Sequence, residues 1–329
     1  MNEQTKRGTE LIAADPEGIA RAGAVLRAGG LVAMPTETVY GLAADATAAN
    51  AVAALYAAKQ RPAINPLIAH VLDIEAGMRE AVFDAHARAL AAAFWPGALT
   101  LVAPLAAQSR ISALARAGLE SVALRAPSNR VARALIAAAE GPLAAPSANR
   151  SGRVSPTTAA HVLDDLDGRI DLVLDGGSTN LGVESTIVAC LGGAPRLLRH
   201  GAITREAIEA VLGFAVDAGE PAPDAAPLAP GLLASHYAPR AHLRLDARET
   251  SPDEAALDFG GTLIGGGAGA WLDLSPRSDL AEAAAQLFGH LRALDASGLA
   301  TIAVAPIPAH GLGAAINDRL RRAAAPRGD

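Results

Sequence analysis

Between Pro35 and His70 the chain carries Pro35-Thr36-Glu37-Thr38-Val39-Tyr40-Gly41-Leu42, then Lys59-Gln60-Arg61-Pro62-Ala63-Ile64-Asn65-Pro66-Leu67, and closes on His70. Hydroxyls, a phenol, an ammonium, a guanidinium, an amide and an imidazole gathered so closely describe a cleft for an anion. Of 28 basic residues only Lys6 and Lys59 are lysines. A compact ammonium and a planar guanidinium hold phosphate differently, so a lysine kept inside a polar loop points to chemistry that arginine does not serve.

Four more polar clusters follow: Ser121 with Arg125; Ala145-Pro146-Ser147-Ala148-Asn149-Arg150-Ser151-Gly152-Arg153-Val154-Ser155-Pro156-Thr157; Gly182-Val183-Glu184-Ser185-Thr186; and Leu197-Leu198-Arg199-His200-Gly201. Any one of them reads as a well-made turn. Five clusters, each at or beside an expected strand end, converge on a binding cleft, because open α/β sheets bind ligands there and Gly/Ser loops with Lys and Arg cradle phosphates. No acid pair, nucleophile–base dyad or Walker loop accompanies them. Glu37 and Glu184 fit either a metal or a turn cap. This pattern suits chemistry that needs no protein nucleophile, such as attack of a substrate carboxylate on the α-phosphate of ATP, where positioning and charge neutralisation suffice.

The elements that must position these residues alternate. Strands are expected at 30–34, 67–71, 99–103, 121–125, 171–174 and 185–189, and helices at 50–58, 129–139, 157–163 and 204–212, the last with Thr204 as N-cap. Prolines then become too dense for helix or central strand, in Gly219-Glu220-Pro221-Ala222-Pro223-Asp224 and Pro227-Leu228-Ala229-Pro230-Gly231, and read as a linker. Beyond it, strands at 242–245, 262–264 and 301–305 and helices at 279–294 and 312–324 make a small second α/β unit. Gly265-Gly266-Gly267-Ala268-Gly269 does not match a dinucleotide-loop spacing and reads as a loop.

Bulk properties narrow the class. The 329 residues suffice for two domains. With 51% apolar, 19% charged and 3% aromatic residues, the composition is globular, with a core of Ala, Val, Leu and Ile. No eighteen-residue apolar run or signal core is present, so a cytoplasmic protein with no membrane association is expected. The single Cys190 excludes an internal disulfide and a cysteine metal cage; it lies in an apolar run with no base beside it and reads as a buried hydrophobe. No metal-ligand spacing is found. A net charge of −6 argues against a nonspecific nucleic-acid binder.

The segments PTETVYGL, KQRPAINPL with His70, WPGALTLV, SVALRAP, APSANRSGRVSPT, DGGSTNLGVESTIV, LLRHG and HYAP, in this order from about residue 30 to 240, closely resemble the threonylcarbamoyl-adenylate synthase family in its long form with a YrdC-type domain. The resemblance implies a mixed, twisted α/β sheet of YrdC type over 1–215, a proline-rich linker over 216–240, and a smaller Rossmann-like α/β domain over 241–329. It implies a nucleotidyltransferase that makes threonylcarbamoyl-AMP and pyrophosphate from L-threonine, bicarbonate and ATP. This product feeds the t6A modification at position 37 of tRNA. Hand-off to the t6A transferase is expected, and contact with tRNA is permitted but not required.

Residue by residue, the resemblance implies that Thr36, Thr38, Tyr40, His70, Arg125 and Ser185 hold threonine. Lys59, Arg61, Asn65, Ser121, Ser147, Asn149, Ser155, Arg199 and Tyr237 would surround ATP, with Lys59 and Arg61 as the catalytic cations. Mg²⁺ is expected on the phosphates with few protein ligands, and no resident metal site. Tyr40 is read as a wall of the cleft, because it lies inside the polar loop, and Trp95 as core packing.

Two departures from the family pattern stand out. Polar residues common in the linker are replaced by Ala229-Pro230-Gly231-Leu232-Leu233-Ala234-Ser235 before His236, and His200 follows Arg199 where proline is common. The rival reading is a noncatalytic RNA-binding module with a concave basic surface. A carbamoyl-transfer domain of the hydrogenase-maturation kind would bring zinc-finger cysteines, which this chain lacks.

Overall fold

The computed structural model describes residues 8–217, 228–230, 236–265 and 270–326. In chain order the elements of the first unit are β1 (Glu10–Ala13), α1 (Pro16–Arg27), β2 (Val32–Met34), β3 (Gly41–Asp45), α2 (Ala49–Lys59), β4 (Ile68–His70), α3 (Ile74–Glu80), α4 (Ala85–Phe94), β5 (Leu99–Pro104), β6 (Ser121–Arg125), α5 (Arg130–Ala139), β7 (Leu143–Ala144), α6 (Ala159–Leu166), β8 (Leu172–Asp175), β9 (Thr186–Ala189), β10 (Arg196–Arg199) and α7 (Arg205–Leu212). The second unit holds β11 (His242–Arg244), β12 (Glu254–Asp258), β13 (Trp271–Asp273), α8 (Leu280–Asp295), β14 (Thr301–Val304) and α9 (Leu312–Ala324).

The first unit is a mixed sheet in the order β1-β8-β2-β3-β7-β4-β6-β5-β9-β10. Its strands are short, and several are rich in alanine, so their stability comes from burial against helices rather than from β propensity. Most helices begin at a side-chain cap that satisfies an otherwise orphaned amide: Asp15, Asp73, Asp84, Asn129, Thr158 and Thr204 each accept from a first-turn N–H. Thr204 does so for Ala207, as the sequence suggests. Helix α1 lies against α5 so closely that a Cβ on Gly23 would meet Ala138 Cβ at 2.7 Å, which explains a glycine within that helix.

The second unit is a fully parallel sheet, β11-β14-β12-β13. Its core of Leu257, Leu287, Phe288, Leu291 and Ile302 continues into Val39, Val154 and Val183 of the first unit. The second core therefore grips the loops that carry the polar clusters.

One expectation is corrected here. Residues 262–264 do not join the sheet; Ile264 makes a lone bridge to Glu249. The Asp258 carboxylate instead collects the amides of Phe259, Thr262 and Leu263, folding the segment into a loop. The strand that fills the place is β12, whose Glu-Ala-Ala-Leu-Asp sequence reads as helix former but is buried throughout. Of the expected linker, positions 218–227 and 231–235 lie outside the described residues, as do 266–269 of the glycine-rich loop. Trp95 is core as expected: its indole N–H donates to the Leu99 carbonyl at 2.7 Å and its ring meets Phe83 edge-on.

Candidate active site

One half of the site forms where loop 35–40 meets the carboxyl ends of the parallel pair β4 and β6. His70 and Arg125 stand opposite each other in that register. Arg125 donates to Thr38 Oγ1 at 2.9 Å, to Glu37 Oε1 at 2.6 Å and to the Gly97 carbonyl at 3.2 Å. Of the five N–H donors of its guanidinium, two have no partner among the described residues and are left for a ligand. Thr36 Oγ1 donates to the Val39 carbonyl at 2.6 Å and lies 2.9 Å from Thr38 Oγ1, so the two threonines brace the loop. Burial opposes the charged form of Glu37, but Arg125 overcomes it and holds the carboxyl below its ordinary range. His70 is 3% exposed, and its Nδ1 has no hydrogen-bond partner among the described residues. Burial, aided by Arg125 and opposed by Glu37, pushes its imidazole down to about 3, so it is a neutral donor or acceptor at physiological pH.

The other half is built from the end of α2, the 145–157 loop and β10. The last residue of α2, Lys59, is 1% exposed and aims its ammonium at the carbonyls of Ser147, at 2.5 Å, and Asn149. Burial and the neighbouring Arg61 drive the Lys59 amine well below its ordinary pKa. Gln60 takes a left-handed conformation, turning the chain so that Arg61 follows into the same cleft, where it donates to the Asn65 and Pro66 carbonyls. Asn65 Oδ1 and Asn149 Oδ1 are buried without partners among the described residues. Ser155 donates to Glu184 Oε1 at 2.6 Å. Arg199 joins the halves: it donates to the Ser185 carbonyl at 3.1 and 2.8 Å, to Ser185 Oγ at 3.2 Å and to the Pro230 carbonyl at 3.2 Å. Thr100 fixes Ser185 Oγ from the other side at 2.7 Å.

Over this half sit His236 and Tyr237, whose rings meet edge-on at 4.1 Å. His236 is buried among Arg61, Lys59, Arg199 and Arg319, and burial followed by these charges holds its imidazole well below the ordinary value. The cavity bounded by Arg61, Ser147, Glu184, Arg199, Pro230 and Tyr237 measures about 50 Å³, well short of the several hundred Å³ of a typical small-molecule site.

Most of the residues singled out in sequence are thus brought together. Ser121 opens β6, four residues before Arg125 and two before the Ala123–Ile68 pairing, and takes part in none of these bonds. Tyr40 is corrected: it is fully buried in the first core, and its hydroxyl donates to the Gly177 carbonyl at 2.7 Å and accepts from Gly176 N–H. Its role is to pin loop 35–40 to loop 176–177. Cys190 is buried, and burial pushes its thiol up to about 12, which leaves it inert. Sequence reasoning missed Arg292 and Arg319, which reach the site from the second unit. Arg319 lies in an arginine-rich helix end that reads as solvated; the available signal was its place on the same face as Ile316, Leu320 and Ala323, all buried.

Residues 24–201 match a family model described as "Telomere recombination", and residues 203–325 match "Threonylcarbamoyl-AMP synthase, C-terminal domain". A threonylcarbamoyl-AMP synthase of Bacillus subtilis is 43% identical, covering 97% of this chain and 96% of that protein. The chain belongs to the threonylcarbamoyl-AMP synthase family. A synthase of Pyrococcus abyssi is 38% identical over 91% of both chains. The crystal structure of P. abyssi Sua5 complexed with L-threonine superposes with a TM-score of 0.86, at 36% identity over 96% of each chain. The first unit's fold recurs in E. coli YciO, with a TM-score of 0.50 over 59% of this chain. The threonylcarbamoyl-AMP synthase fold here is therefore the two-unit form, with both family regions present.

Proposed function

We propose that the chain is an L-threonylcarbamoyladenylate synthase, which converts L-threonine, bicarbonate and ATP into threonylcarbamoyl-AMP and pyrophosphate for t6A synthesis on tRNA. The observation that carries this reading is the near full-length match to threonylcarbamoyl-AMP synthases across both units. The amine of threonine takes up the carbon of bicarbonate with loss of water. An oxygen of the resulting carbamate forms a bond to the α-phosphorus of ATP, and the bond from that phosphorus to the bridging oxygen breaks, releasing pyrophosphate.

The geometry supports a division of labour. Thr36, Thr38, His70, Arg125 and Ser185 fit threonine: among the described residues Arg125 retains two donors for its carboxylate, and neutral His70 offers a buried nitrogen without a partner to its polar groups. Tyr40 supports that loop from beneath. Lys59, Arg61, Asn65, Ser121, Ser147, Asn149, Ser155, Arg199 and Tyr237 are assigned to ATP. Lys59 and Arg61, now bonded to backbone carbonyls, would exchange these for phosphate oxygens and set positive charge against the triphosphate. Tight walls exclude water from a labile acyl phosphate.

Glu37 and Glu184 do not fit a metal, since both oxygens of each are bonded to protein donors. Mg²⁺ is therefore assigned to the triphosphate with which it arrives. No helix among the described residues is long and apolar enough to cross a membrane; a cytoplasmic location and hand-off to the transferase complete the proposal, as does a division of the chain at residues 215 and 240. The test is isotopic. With ¹³C-bicarbonate, the adenylate formed should carry one heavy carbon, detected by mass spectrometry; an adenylate of unlabelled mass would refute the proposal.

A further inference from the structure

We propose that Arg319, on α9 of the second unit, is a positioning residue for the nucleotide half of the active site and the means by which the second unit sets its affinity for ATP. This inference rests on the function proposed above and adds a duty for the second unit.

Arg319 is completely buried. Its Nε donates to Glu184 Oε2 at 2.7 Å, one Nη to Asp318 Oδ2 at 2.5 Å and the other to the His200 carbonyl at 2.9 Å. The face of Tyr237 lies 5.2 Å from its guanidinium carbon. The contacts it makes beyond α9 lead to three different parts of the nucleotide half. Glu184 accepts from Ser155 Oγ through its second oxygen, at 2.6 Å. His200 directly follows Arg199 at the end of β10. Tyr237, stacked on Phe288 of α8, closes the cavity.

One planar fork from α9 thus fixes a hydroxyl, a cation and a ring that belong to three separate segments. The fit around these segments is equally close: within the first unit a Cβ on Gly201 would lie 2.4 Å from the Glu184 carbonyl, and across to the second unit one on Gly182 would lie 2.3 Å from the Ala284 carbonyl of α8. Segments 182–186 and 199–201 therefore cannot shift independently of each other or of the second unit.

Burying a guanidinium is costly, and a buried ion pair is commonly replaceable by apolar side chains without loss of stability. Stability alone gives no reason for Arg319. Its directional fork does: a lysine in its place would keep the charge but reach only one of the partners at a time. Burial opposes the charged form of Glu184, while Arg319 and then Arg199 restore it and hold the carboxyl below its ordinary range, so it stays an acceptor for Ser155. Of the threonine half, Thr38, Arg125 and His70 make none of these contacts, and Ser185 is reached only at second hand, through Arg199, so the effect on threonine is the smaller one.

The experiment measures KM for ATP, KM for threonine, kcat and melting temperature in Arg319→Met, Arg319→Lys, Glu184→Gln and the Arg319→Met/Glu184→Gln double variant. Arg319→Met should raise KM for ATP at least tenfold while KM for threonine changes less than threefold, with Arg319→Lys intermediate. The double variant should be no worse than Arg319→Met, because the two side chains act as one unit. A lowered melting temperature with both KM values unchanged would make Arg319 merely structural and overturn the proposal, as would equal losses for both substrates. If Arg319→Met does not fold, Glu184→Gln and Arg319→Lys decide, and an unaltered KM for ATP in both refutes it. Wild-type protein that fails to release pyrophosphate with threonine and bicarbonate would instead refute the function on which the inference rests.

Discussion

Arg199 holds the backbone carbonyl of Ser185 with both Nε and Nη2, at 3.1 and 2.8 Å, so a residue assigned to ATP is bolted to one assigned to threonine. Binding at either half then biases the geometry of the other. Arg199→Lys should raise KM for ATP and for threonine together, each by fivefold or more, because one ammonium cannot replace a planar fork. Steady-state titration of each substrate checks this. A change confined to ATP would show that the bond does not couple the halves.

Lys59 reads in sequence as a lysine of a polar loop that serves phosphate chemistry. It is in fact buried against two carbonyls. Lys59→Met removes a desolvated cation, which stabilises, and leaves two carbonyls short of a donor, which costs about 1–3 kcal/mol each where no water replaces it. These effects oppose each other, so the melting temperature should move by only a few degrees while turnover falls at least a hundredfold. Lys59→Arg should fail nearly as badly for lack of room. A collapsed melting temperature with intact specific activity would make Lys59 structural.

Acid should destabilise the protein well before the carboxylates titrate. The folded pKa of His70, about 3, lies below its unfolded value near 6.5. Its contribution to stability is therefore full above pH 6.5 and is lost as pH falls, at about 1.4 kcal/mol per pH unit for one proton. His236 is shifted in the same direction. Denaturant unfolding followed from pH 7.5 to 5 should show this slope, and His70→Asn should reduce it. A pH-independent midpoint in the wild type would contradict the burial of neutral imidazoles.

Tyr237 stacks on Phe288 and faces Arg319, so its ring closes the nucleotide half from the second unit's side. Tyr237→Ala should weaken ATP binding and let the intermediate hydrolyse sooner, seen as pyrophosphate release in excess of threonylcarbamoyl-AMP recovered. A chain ending near Gly213 should lose ATP affinity altogether. Equal affinity and product yield from that shortened chain would show that nothing beyond α7 serves the reaction.

Much of this was legible in the chain. Six of the ten strands of the first unit read from sequence, because strands such as β5 and β6 carry compact apolar runs, while β1, β3, β7 and β10 went unread; α9 was bounded correctly at both ends. β12 was missed because its burial, not its composition, makes it a strand, and 262–264 was misread because the Asp258 carboxylate outcompetes a ladder for the amides. In the site, polar loops announced themselves by residue type. Tyr40 was misjudged because sequence position puts it in the polar loop while the fold turns its ring into the core. Arg319 was invisible for a related reason: its partners lie more than a hundred residues away, and only the fold shows that a charge on that helix faces inward.

The central claim, that this cleft joins threonine, bicarbonate and ATP, is tested most directly by measuring pyrophosphate release while omitting each substrate in turn and replacing threonine by each other amino acid. Release should require all three together, with serine supporting it more weakly because loss of one methyl contact costs about 1–3 kcal/mol. Full-rate release without bicarbonate, or with an amino acid lacking the β-hydroxyl, would contradict the account.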